Sequence, residues 1–296
     1  MATLAQTRPP FAAVHAGPLL GPGMVIASMI AQNFGATLAK QMFAAVGAFG
    51  TTGLRVFLAA AILMALRTPW RRPLSGRILT WVLLYGCMLG LMNLLIYQAF
   101  ARLPIGIAIG IEVLGPLSIV LAGSRRLLDL VWFAAAVAGL MLLLPLRVGT
   151  GLDPVGLAFA AGAATCWALY IVFGKRVATQ LGADAVAWGM VVAACINAPL
   201  AVTFAGRALL DTWVLLTGLG LALLTSVLPC TLEMEAMRRL PSHVFGILLS
   251  AAPAIAALAG FLVLGEKLTG VQWLAIVSIV AASCGSAICA ARLRPA

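Results

Sequence analysis

The chain contains 296 residues, of which 63% are hydrophobic and only 9% are charged. Soluble globular domains carry about 25% charged residues, so this composition excludes a soluble fold and indicates an integral membrane protein. The net charge of +11 at pH 7 would suit a nucleic-acid partner. The basic residues cluster between apolar stretches, however, which is typical of membrane orientation, and no nucleic-acid partner is expected.

Ten apolar stretches follow one another, each close to the roughly 20 residues that a membrane-spanning helix needs. They are predicted at residues 19–39, 50–67, 78–100, 105–122, 128–146, 154–174, 185–205, 212–236, 242–264 and 270–291. The polar to mixed segment before them, which contains Pro9 and Pro10, is predicted to be a disordered tail. It is not expected to be a signal peptide, because the apolar run after it continues into a full span.

The first five stretches are repeated by the second five. Residues 98–104 (QAFARLP) return as residues 235–241 (EAMRRLP), and Pro116 returns as Pro253, at an offset of 137 residues. Because five crossings is an odd number, the second copy must enter the membrane from the opposite side, as in many secondary transporters. We therefore predict an all-α integral membrane protein with ten transmembrane helices arranged as a 5+5 inverted-topology repeat. Its parts are a tail (1–18), a first repeat (19–147), a second repeat (154–291) and a second tail (292–296).

Lysine and arginine are distributed unevenly between the two sides of the predicted membrane. With the amino terminus inside, thirteen fall on the cytoplasmic side and five on the outer side, and Arg55 remains within the second span. Because positive residues concentrate in short cytoplasmic loops, both termini are predicted to be cytoplasmic.

Arg55 and Glu112 are ionisable residues inside predicted spans, ~8 Å and ~11 Å from the outer ends at the 1.5 Å rise of a helix. An ion at such depth costs several kcal/mol unless it is paired or hydrated, so both are predicted to contact substrate. A structural ion pair between the two helices, or Arg55 extending to the outer surface, would also explain them. In the second repeat Met190 and Leu249 occupy the corresponding positions, which favours function over scaffold.

Further polar and aromatic residues inside the spans are predicted to contact substrate: Asn33, Tyr85, Asn93, Tyr97, Trp167, Tyr170 and Glu233. Asn93 and Tyr97 share a helix face at i, i+4 spacing, as Trp167 and Tyr170 do at i, i+3. Trp167 is the one tryptophan far from a predicted interface, so it either lines a cavity or packs between helices. An amide such as that of Asn33 either faces a cavity or hydrogen-bonds a neighbouring helix.

Glu233 and Glu235 lie near the cytoplasmic end of the eighth span and are predicted to have different roles. Glu235 precedes Arg239 by four residues, the favourable order for a helical ion pair, so a structural role is expected. Glu233 faces elsewhere and is predicted to contact substrate. Pro116 and Pro253 are predicted to be kink residues used in gating, because a proline within a helix removes a backbone hydrogen bond.

Cysteine and loop content limit the remaining chemistry. The six cysteines all fall inside predicted spans without metal-ligand spacing, so no cofactor, metal site or disulfide is expected. No connection between spans exceeds about a dozen residues, which leaves no room for a soluble catalytic or ATPase domain. An intramembrane enzyme would need clustered histidine, cysteine or carboxylate groups, and none has catalytic spacing. The chain is therefore not expected to be an enzyme.

Six segments, spread over nearly the whole chain, carry a family resemblance. They are residues 35–43 (GATLAKQMF), 106–117 (GIAIGIEVLGPL), 124–132 (SRRLLDLVW), 166–176 (CWALYIVFGKR), 232–241 (LEMEAMRRLP) and 265–272 (GEKLTGVQ). The last is similar to the Gly-Glu-x-Leu-Thr-x-x-Gln signature of the ten-helix EamA branch of the drug/metabolite transporter superfamily. The others resemble the threonine/homoserine exporters and YddG-type amino-acid exporters. Homoserine-type exporters carry an acid directly before the second-half proline, where this chain has Ala252.

The resemblance implies a secondary transporter that exports amino acids or closely related metabolites across the inner membrane by alternating access. A zwitterion needs an acceptor for its ammonium group and donors for its carboxylate, which Glu112, Arg55, Asn93 and the tyrosines offer. The expected partners are a small-molecule substrate and the lipid bilayer; a monomer is compatible with the sequence, which leaves oligomeric state open. A drug, nucleotide-sugar or organic-phosphate carrier is the alternative, although phosphate carriers favour several deep cations. A passive channel also remains open.

Overall fold

The computed structural model describes residues 19–71, 74, 76–103, 105–123, 127–143, 153–249, 251–252, 254–255, 270–271, 273–278 and 280–281, and every regular element within these ranges is helical. The α-helices are α1 (Leu20–Arg67), α2 (Gly76–Phe100), α3 (Ile105–Glu112), α4 (Leu114–Gly123), α5 (Leu127–Leu143), α6 (Pro154–Leu181), α7 (Asp184–Ala205), α8 (Thr212–Ala222), α9 (Leu228–Arg239) and α10 (Ser242–Leu249). Short 3-10 helices occur at Pro69–Arg71 and Gly206–Leu210, and a π-helix at Leu223–Val227 joins α8 to α9.

Five of the described helices are long and apolar enough to cross a membrane: Met42–Arg67, Gly76–Phe100, Pro154–Leu181, Asp184–Leu210 and Thr212–Arg239. They coincide with the predicted spans at 50–67, 78–100, 154–174, 185–205 and 212–236. Shorter apolar helices at Ala108–Ile119 and Leu130–Gly139 fall within the predicted spans at 105–122 and 128–146. The predicted spans at 242–264 and 270–291 are described only in part. Both tails, Pro253 and the signature at 265–272 apart from residues 270–271 lie outside the described residues.

Helix α1 is 48 residues long and is broken at Gly47, whose backbone angles are φ 68° and ψ 179°. At 1.5 Å per residue its length would be about 72 Å, more than twice the roughly 30 Å of a bilayer core. Gly47 therefore separates two limbs, residues 20–46 and 48–67, and glycine suits a positive φ because it has no Cβ. The prediction that the first helix ends at residue 39 is wrong. The apolar pattern pauses at Lys40 and Gln41, but both are good helix formers and the helix continues.

The predicted fourth span is interrupted at Val113, between α3 and α4. Pro116 explains the interruption, because it has no N–H to donate to the carbonyl of Glu112 and its ring crowds that carbonyl. The expected kink at Pro116 therefore lies one turn before the proline itself, directly beside Glu112.

Helix ends are stabilised by side chains that the sequence places there. Asp153 caps α6 by accepting a hydrogen bond from the N–H of Val155 at 3.0 Å, and Asp211 caps α8 through the N–H of Trp213 at 2.9 Å. At the carboxyl end of α9, the ammonium group of Lys175 donates to the carbonyl oxygens of Met237 and Leu240. A cation suits the negative end of the helix dipole, so Lys175 attaches α6 to the end of α9.

Helices pack through small residues that allow close approach. The first limb of α1 lies against α9, with Gly21 against Leu240, and the second limb lies against α7. A Cβ on Gly53 would come within 2.6 Å of the carbonyl oxygen of Asn197 in α7, so only glycine permits this contact. Helix α2 lies against α6, and α4 lies against α10. These contacts surround a polar cavity with an apolar shell.

Candidate functional site

A cavity of about 120 Å³ lies between the helices. A single water needs only about 10–15 Å³, so the cavity admits several waters or a small solute. Its polar and aromatic lining residues are Gln32, Asn33, Arg55, Asn93, Tyr97, Phe100, Glu112, Trp167, Tyr170, Thr225, Ser226 and Glu233. Its other lining residues are Leu89, Met92, Ile96, Ile109, Met190, Cys230 and Ala252. The wall is therefore apolar except for one guanidinium, two carboxyl groups and their neutral neighbours.

Arg55 is 2% exposed and is held by neutral oxygens from two other elements. Its Nη1 donates to Ser226 Oγ at 2.8 Å, to Thr225 Oγ1 at 3.1 Å and to the Thr225 carbonyl at 3.3 Å, and its Nη2 donates to Asn93 Oδ1. The carbonyl of Thr225 is free to accept because Pro229, four residues later, has no N–H. The local π-helix and the proline thus prepare an acceptor for the guanidinium.

The remaining surfaces of Arg55 face the cavity lining. The guanidinium carbon lies 4.8 Å from the ring centroid of Tyr97, a cation–π distance. Its Nε has no hydrogen-bond partner although the atom is buried. An unpaired donor on a buried cation is unfavourable, so this atom is an available donor for an anionic group inside the cavity.

Glu233 is 5% exposed and accepts three hydrogen bonds from helices on opposite sides of the cavity. Its Oε1 accepts from Ser28 Oγ and from Gln32 Nε2, both at 2.7 Å, and its Oε2 accepts from the hydroxyl of Tyr170 at 3.2 Å. Three donors are what a buried carboxylate needs in place of water. The cluster joins the first limb of α1, α6 and α9.

Glu112 lines the same cavity, is 9% exposed, and forms no hydrogen bond or ion pair with the described residues. The ion pair between Arg55 and Glu112, one of the structural alternatives, is therefore absent here, because the guanidinium is already engaged by Asn93, Thr225 and Ser226. Extension of Arg55 to the outer surface is likewise not observed. Arg55 and Glu112 therefore line the same cavity but do not bond to each other.

The aromatic candidates divide between the cavity wall and the layer behind it. Trp167 is 8% exposed and lines the cavity, as do Tyr97 and Tyr170. Tyr85 does not line it; its fully buried ring stacks on Tyr170 with centroids 5.1 Å apart. Asn33 lines the cavity, and its Nδ2 donates to the carbonyl of Met29 within its own helix.

Several lining or contacting residues were not among the predicted site residues: Ser28, Thr225, Ser226, Met190 and Cys230. Ser28 and Gln32 stand four residues apart in an apolar span, a spacing that places both on one face. Thr225 precedes Pro229 by four residues, so its carbonyl was identifiable as unpartnered from the sequence. Met190 and Cys230 carry no such signal, because apolar residues fill every span.

Positions that the predicted repeat relates carry chemically different residues in the cavity lining. At the offset of 137 residues Glu233 corresponds to Ile96, and at the offset of 135 Arg55 corresponds to Met190. All four residues line the cavity. In each pair one residue is ionisable and the other is apolar.

Metal and thiol chemistry have little support among the residues that the structure describes. These residues contain no group of three or more histidine, cysteine, aspartate or glutamate side chains placed to hold a metal ion. Cys87, Cys166, Cys195 and Cys230 are free thiols.

Outside the cavity, Glu235 pairs with Arg239 at 2.7 Å and with Arg238 at 2.9 Å, the expected structural role.

Comparison with known proteins agrees with this architecture. The model of the EamA-like transporter family matches residues 154–288. The threonine/homoserine exporters RhtA of Escherichia coli K12 and of Salmonella typhimurium LT2 are each 43% identical over 266 residues, which covers 90% of this chain and 90% of each relative. A solved crystal structure superposes with a TM-score of 0.75 at 23% identity, over 93% of this chain and 99% of the other, and supports the fold alone.

A polar cavity enclosed by apolar, membrane-length helices defines a class of protein, the multi-pass membrane transporters. The chain belongs to the EamA-like transporter family. The resemblance to the EamA branch is confirmed, and so is the expectation that the chain is a transporter and not an enzyme.

Proposed function

We propose that the protein exports small zwitterionic amino acids, or closely related metabolites, across the bacterial inner membrane. The observation that carries the proposal is the presence in one cavity of a buried guanidinium with a free Nε and a buried carboxyl group, that of Glu112, which bonds to none of the described residues. These are the two complements of an α-amino acid, a donor for its carboxylate and an acceptor for its ammonium group. The names of the relatives, which are threonine/homoserine exporters, point to the same class of substrate.

In this proposal the substrate carboxylate lies against Arg55 and receives Nε–H. Tyr97 and Asn93 keep the guanidinium in place, through the 4.8 Å ring contact and the hydrogen bond to Asn93 Oδ1. Charge-assisted hydrogen bonds of this kind are about twice as strong as neutral ones, so Arg55 is the principal anchor. The substrate ammonium group lies toward Glu112, which has the unoccupied acceptor oxygens.

The remainder of the substrate contacts the apolar and aromatic part of the wall. Trp167 and Met92 provide flat and flexible apolar surface, and Asn33 and Tyr170 provide polar groups. A short side chain with a hydroxyl group would find both kinds of contact. Glu233 is already saturated by Ser28, Gln32 and Tyr170, so it shapes the cavity and contacts substrate only if that cluster opens.

Transport is proposed to use alternating access within a 5+5 inverted repeat of ten helices. Two observations support the repeat. The family model matches residues 154–288, close to the second predicted repeat at 154–291. The contact of α2 with α6 has a counterpart in the contact of α9 with the first limb of α1, as exchange of the two halves requires. The break before Pro116 is proposed to be a gating kink, and Pro253 its counterpart.

The orientation is proposed from charge, with both termini in the cytoplasm. Thirteen lysines and arginines on one side against five on the other follow the positive-inside rule. An organic-phosphate or nucleotide-sugar carrier has less support. Arg55 is the one lysine or arginine among the described cavity-lining residues, and a polyanion needs more than one.

Counterflow in proteoliposomes tests the proposed function. Purified protein is reconstituted with a high internal concentration of one amino acid, and uptake of a trace of the labelled compound is measured across a panel that includes threonine, homoserine and a sugar phosphate. We expect saturable overshoot with small zwitterionic amino acids and a loss of at least tenfold in Arg55→Gln. Overshoot with the sugar phosphate alone, or unsaturable flux, would contradict the proposal.

A further inference from the structure

The two carboxyl groups in the cavity differ sharply in their surroundings. Glu233 accepts from the hydroxyl of Ser28, the amide of Gln32 and the hydroxyl of Tyr170. Glu112 is equally enclosed, at 9% exposed, but forms no hydrogen bond or ion pair with any residue that the structure describes. Glu112 is the last residue of α3, and the helix is interrupted directly after it because Pro116 has no N–H for the Glu112 carbonyl.

Charge in the cavity is already balanced without Glu112. The titratable or charged groups that the other described elements contribute to the lining are Arg55 from α1, Tyr97 from α2, Tyr170 from α6, and Cys230 and Glu233 from α9. Arg55 and Glu233 each have neutral hydrogen-bonding partners, with the Nε of Arg55 left free, and together they sum to zero charge. A second carboxylate at Glu112 would be repelled by Glu233 and accepts no hydrogen bond from the described residues, whereas a carboxylic acid avoids the repulsion and costs much less to bury than a charge.

We propose that Glu112 holds a proton when the cavity contains no substrate and exchanges that proton for the ammonium group of the amino acid. The proposal rests on the proposed function and adds to it the coupling ion. When the ammonium group arrives, the O–H proton of Glu112 passes to cavity water, and the resulting carboxylate accepts N–H hydrogen bonds from the substrate. When the amino acid leaves, a proton from the other side returns to the same oxygen. One proton therefore moves inward for each amino acid exported.

The proposal predicts the sign of the net charge that crosses the membrane in each cycle, which can be measured. A zwitterion carries no net charge, so each cycle moves one positive charge into the cell, and both the membrane potential and the pH gradient drive export. Cys230 is a poor alternative carrier, because a thiol binds an ammonium group weakly compared with a carboxylate. Glu233 is a poorer one than Glu112, because its three hydrogen-bond donors favour the ionised carboxylate.

Infrared difference spectroscopy on the substrate-free protein tests protonation directly. We expect a carboxylic-acid C=O band that shifts in D2O, disappears on addition of the amino acid selected by counterflow, and is absent from Glu112→Gln. Glu235→Gln is the matched control, an acid-to-amide change outside the cavity, and should keep the band; Glu112→Asp should keep a shifted one. A band that persists in Glu112→Gln, or no such band in the unaltered protein, overturns the proposal.

Transport measurements test the coupling. In voltage-clamped vesicles with an acidic interior, the unaltered protein should accumulate external amino acid several-fold above equilibrium, whereas Glu112→Gln should not pass equilibrium. Equal accumulation by the unaltered protein with and without the pH gradient overturns proton coupling. If no amino acid supports counterflow, the proposed function fails; the infrared band, which needs no substrate, still decides whether Glu112 carries a proton.

Discussion

Arg55 and Glu112 line one cavity, yet the guanidinium bonds to Asn93, Thr225 and Ser226 and not to Glu112. The positive group is therefore fixed by neutral oxygens, and within the described part of the chain it has no acidic partner. This arrangement keeps both groups accessible to a substrate that brings its own opposite charges.

Neutralising the two residues should have unequal effects on stability. Arg55→Gln leaves buried oxygens of Thr225, Ser226 and Asn93 without donors, at about 1–3 kcal/mol for each group that stays unsatisfied. Glu112→Gln removes no bond, so its melting temperature in detergent should match or exceed that of the unaltered protein. The double variant should resemble Arg55→Gln and should not recover. Recovery of stability in the double variant would instead demonstrate a structural ion pair.

The Glu233 cluster predicts that shape and polarity matter more than charge at this position. Glu233→Leu leaves Ser28, Gln32 and Tyr170 without an acceptor and should cost about 1–3 kcal/mol for each group left unsatisfied. Glu233→Gln should be tolerated, because its amide oxygen can accept from Ser28 and Gln32 and its NH2 group can donate to Tyr170.

Glu235→Gln provides the control, since it breaks partly exposed ion pairs worth about 0–1 kcal/mol. Melting temperatures of the three purified variants, Glu233→Leu, Glu233→Gln and Glu235→Gln, measure how much the Glu233 cluster contributes to stability. A Glu233→Leu variant as stable as Glu235→Gln would show that the cluster contributes little.

Close packing around Tyr85 predicts a strong effect of one added methyl group. A Cβ at Gly189 would stand 2.2 Å from Cε1 of Tyr85, so Gly189→Ala should cost about 1–3 kcal/mol by overpacking. Gly220→Ala meets nothing within 4 Å and should be neutral or stabilising, by up to ~1 kcal/mol of helix propensity. Thermal unfolding of both variants in the same detergent gives the comparison, and equal melting temperatures would contradict the packing.

Trp167 forms part of the cavity wall, so truncating it should impair transport more than folding. We expect Trp167→Ala to elute as a monodisperse peak and to lose most counterflow activity, and Trp167→Phe to restore part of it. If Trp167 serves mainly in packing, Trp167→Ala will fail to accumulate, since truncation of a buried tryptophan costs ~3–5 kcal/mol. Expression level and counterflow rate separate the two outcomes.

The proposed orientation can be tested by labelling engineered cysteines in a cysteine-free background. Thr3→Cys and Pro295→Cys should be protected from a membrane-impermeant thiol reagent applied to intact cells, and Thr150→Cys should react. Permeabilised cells should label all three positions. Labelling of position 3 but not position 150 in intact cells would reverse the topology.

Sequence pattern predicted the helices well and the contacts between them poorly. Hydropathy placed both ends of α2 and α7 within two residues, because a spanning helix needs a nearly fixed apolar length, but it ended α6 at residue 174, well before Leu181. Hydropathy does not predict that α1 extends to Gly47. The apolar run ends before Lys40, whereas the backbone remains helical beyond it. The hydrogen bonds of Glu233 could not be predicted, since its three donors come from helices α1 and α6, and the sequence alone does not reveal which spans meet.

The π-helix at Leu223–Val227 acts as a one-residue insertion in an otherwise continuous span. Before it, Gly218 packs against Leu54; after it, Glu233 accepts from Ser28. Each residue turns an α-helix by about 100°, so deleting one residue in this stretch would rotate one end relative to the other by that angle. The shortened span could keep the glycine contact or the carboxylate cluster, but not both. The π-helix thus fixes the rotation of the part of the span that carries Glu233 relative to the part that carries Gly218.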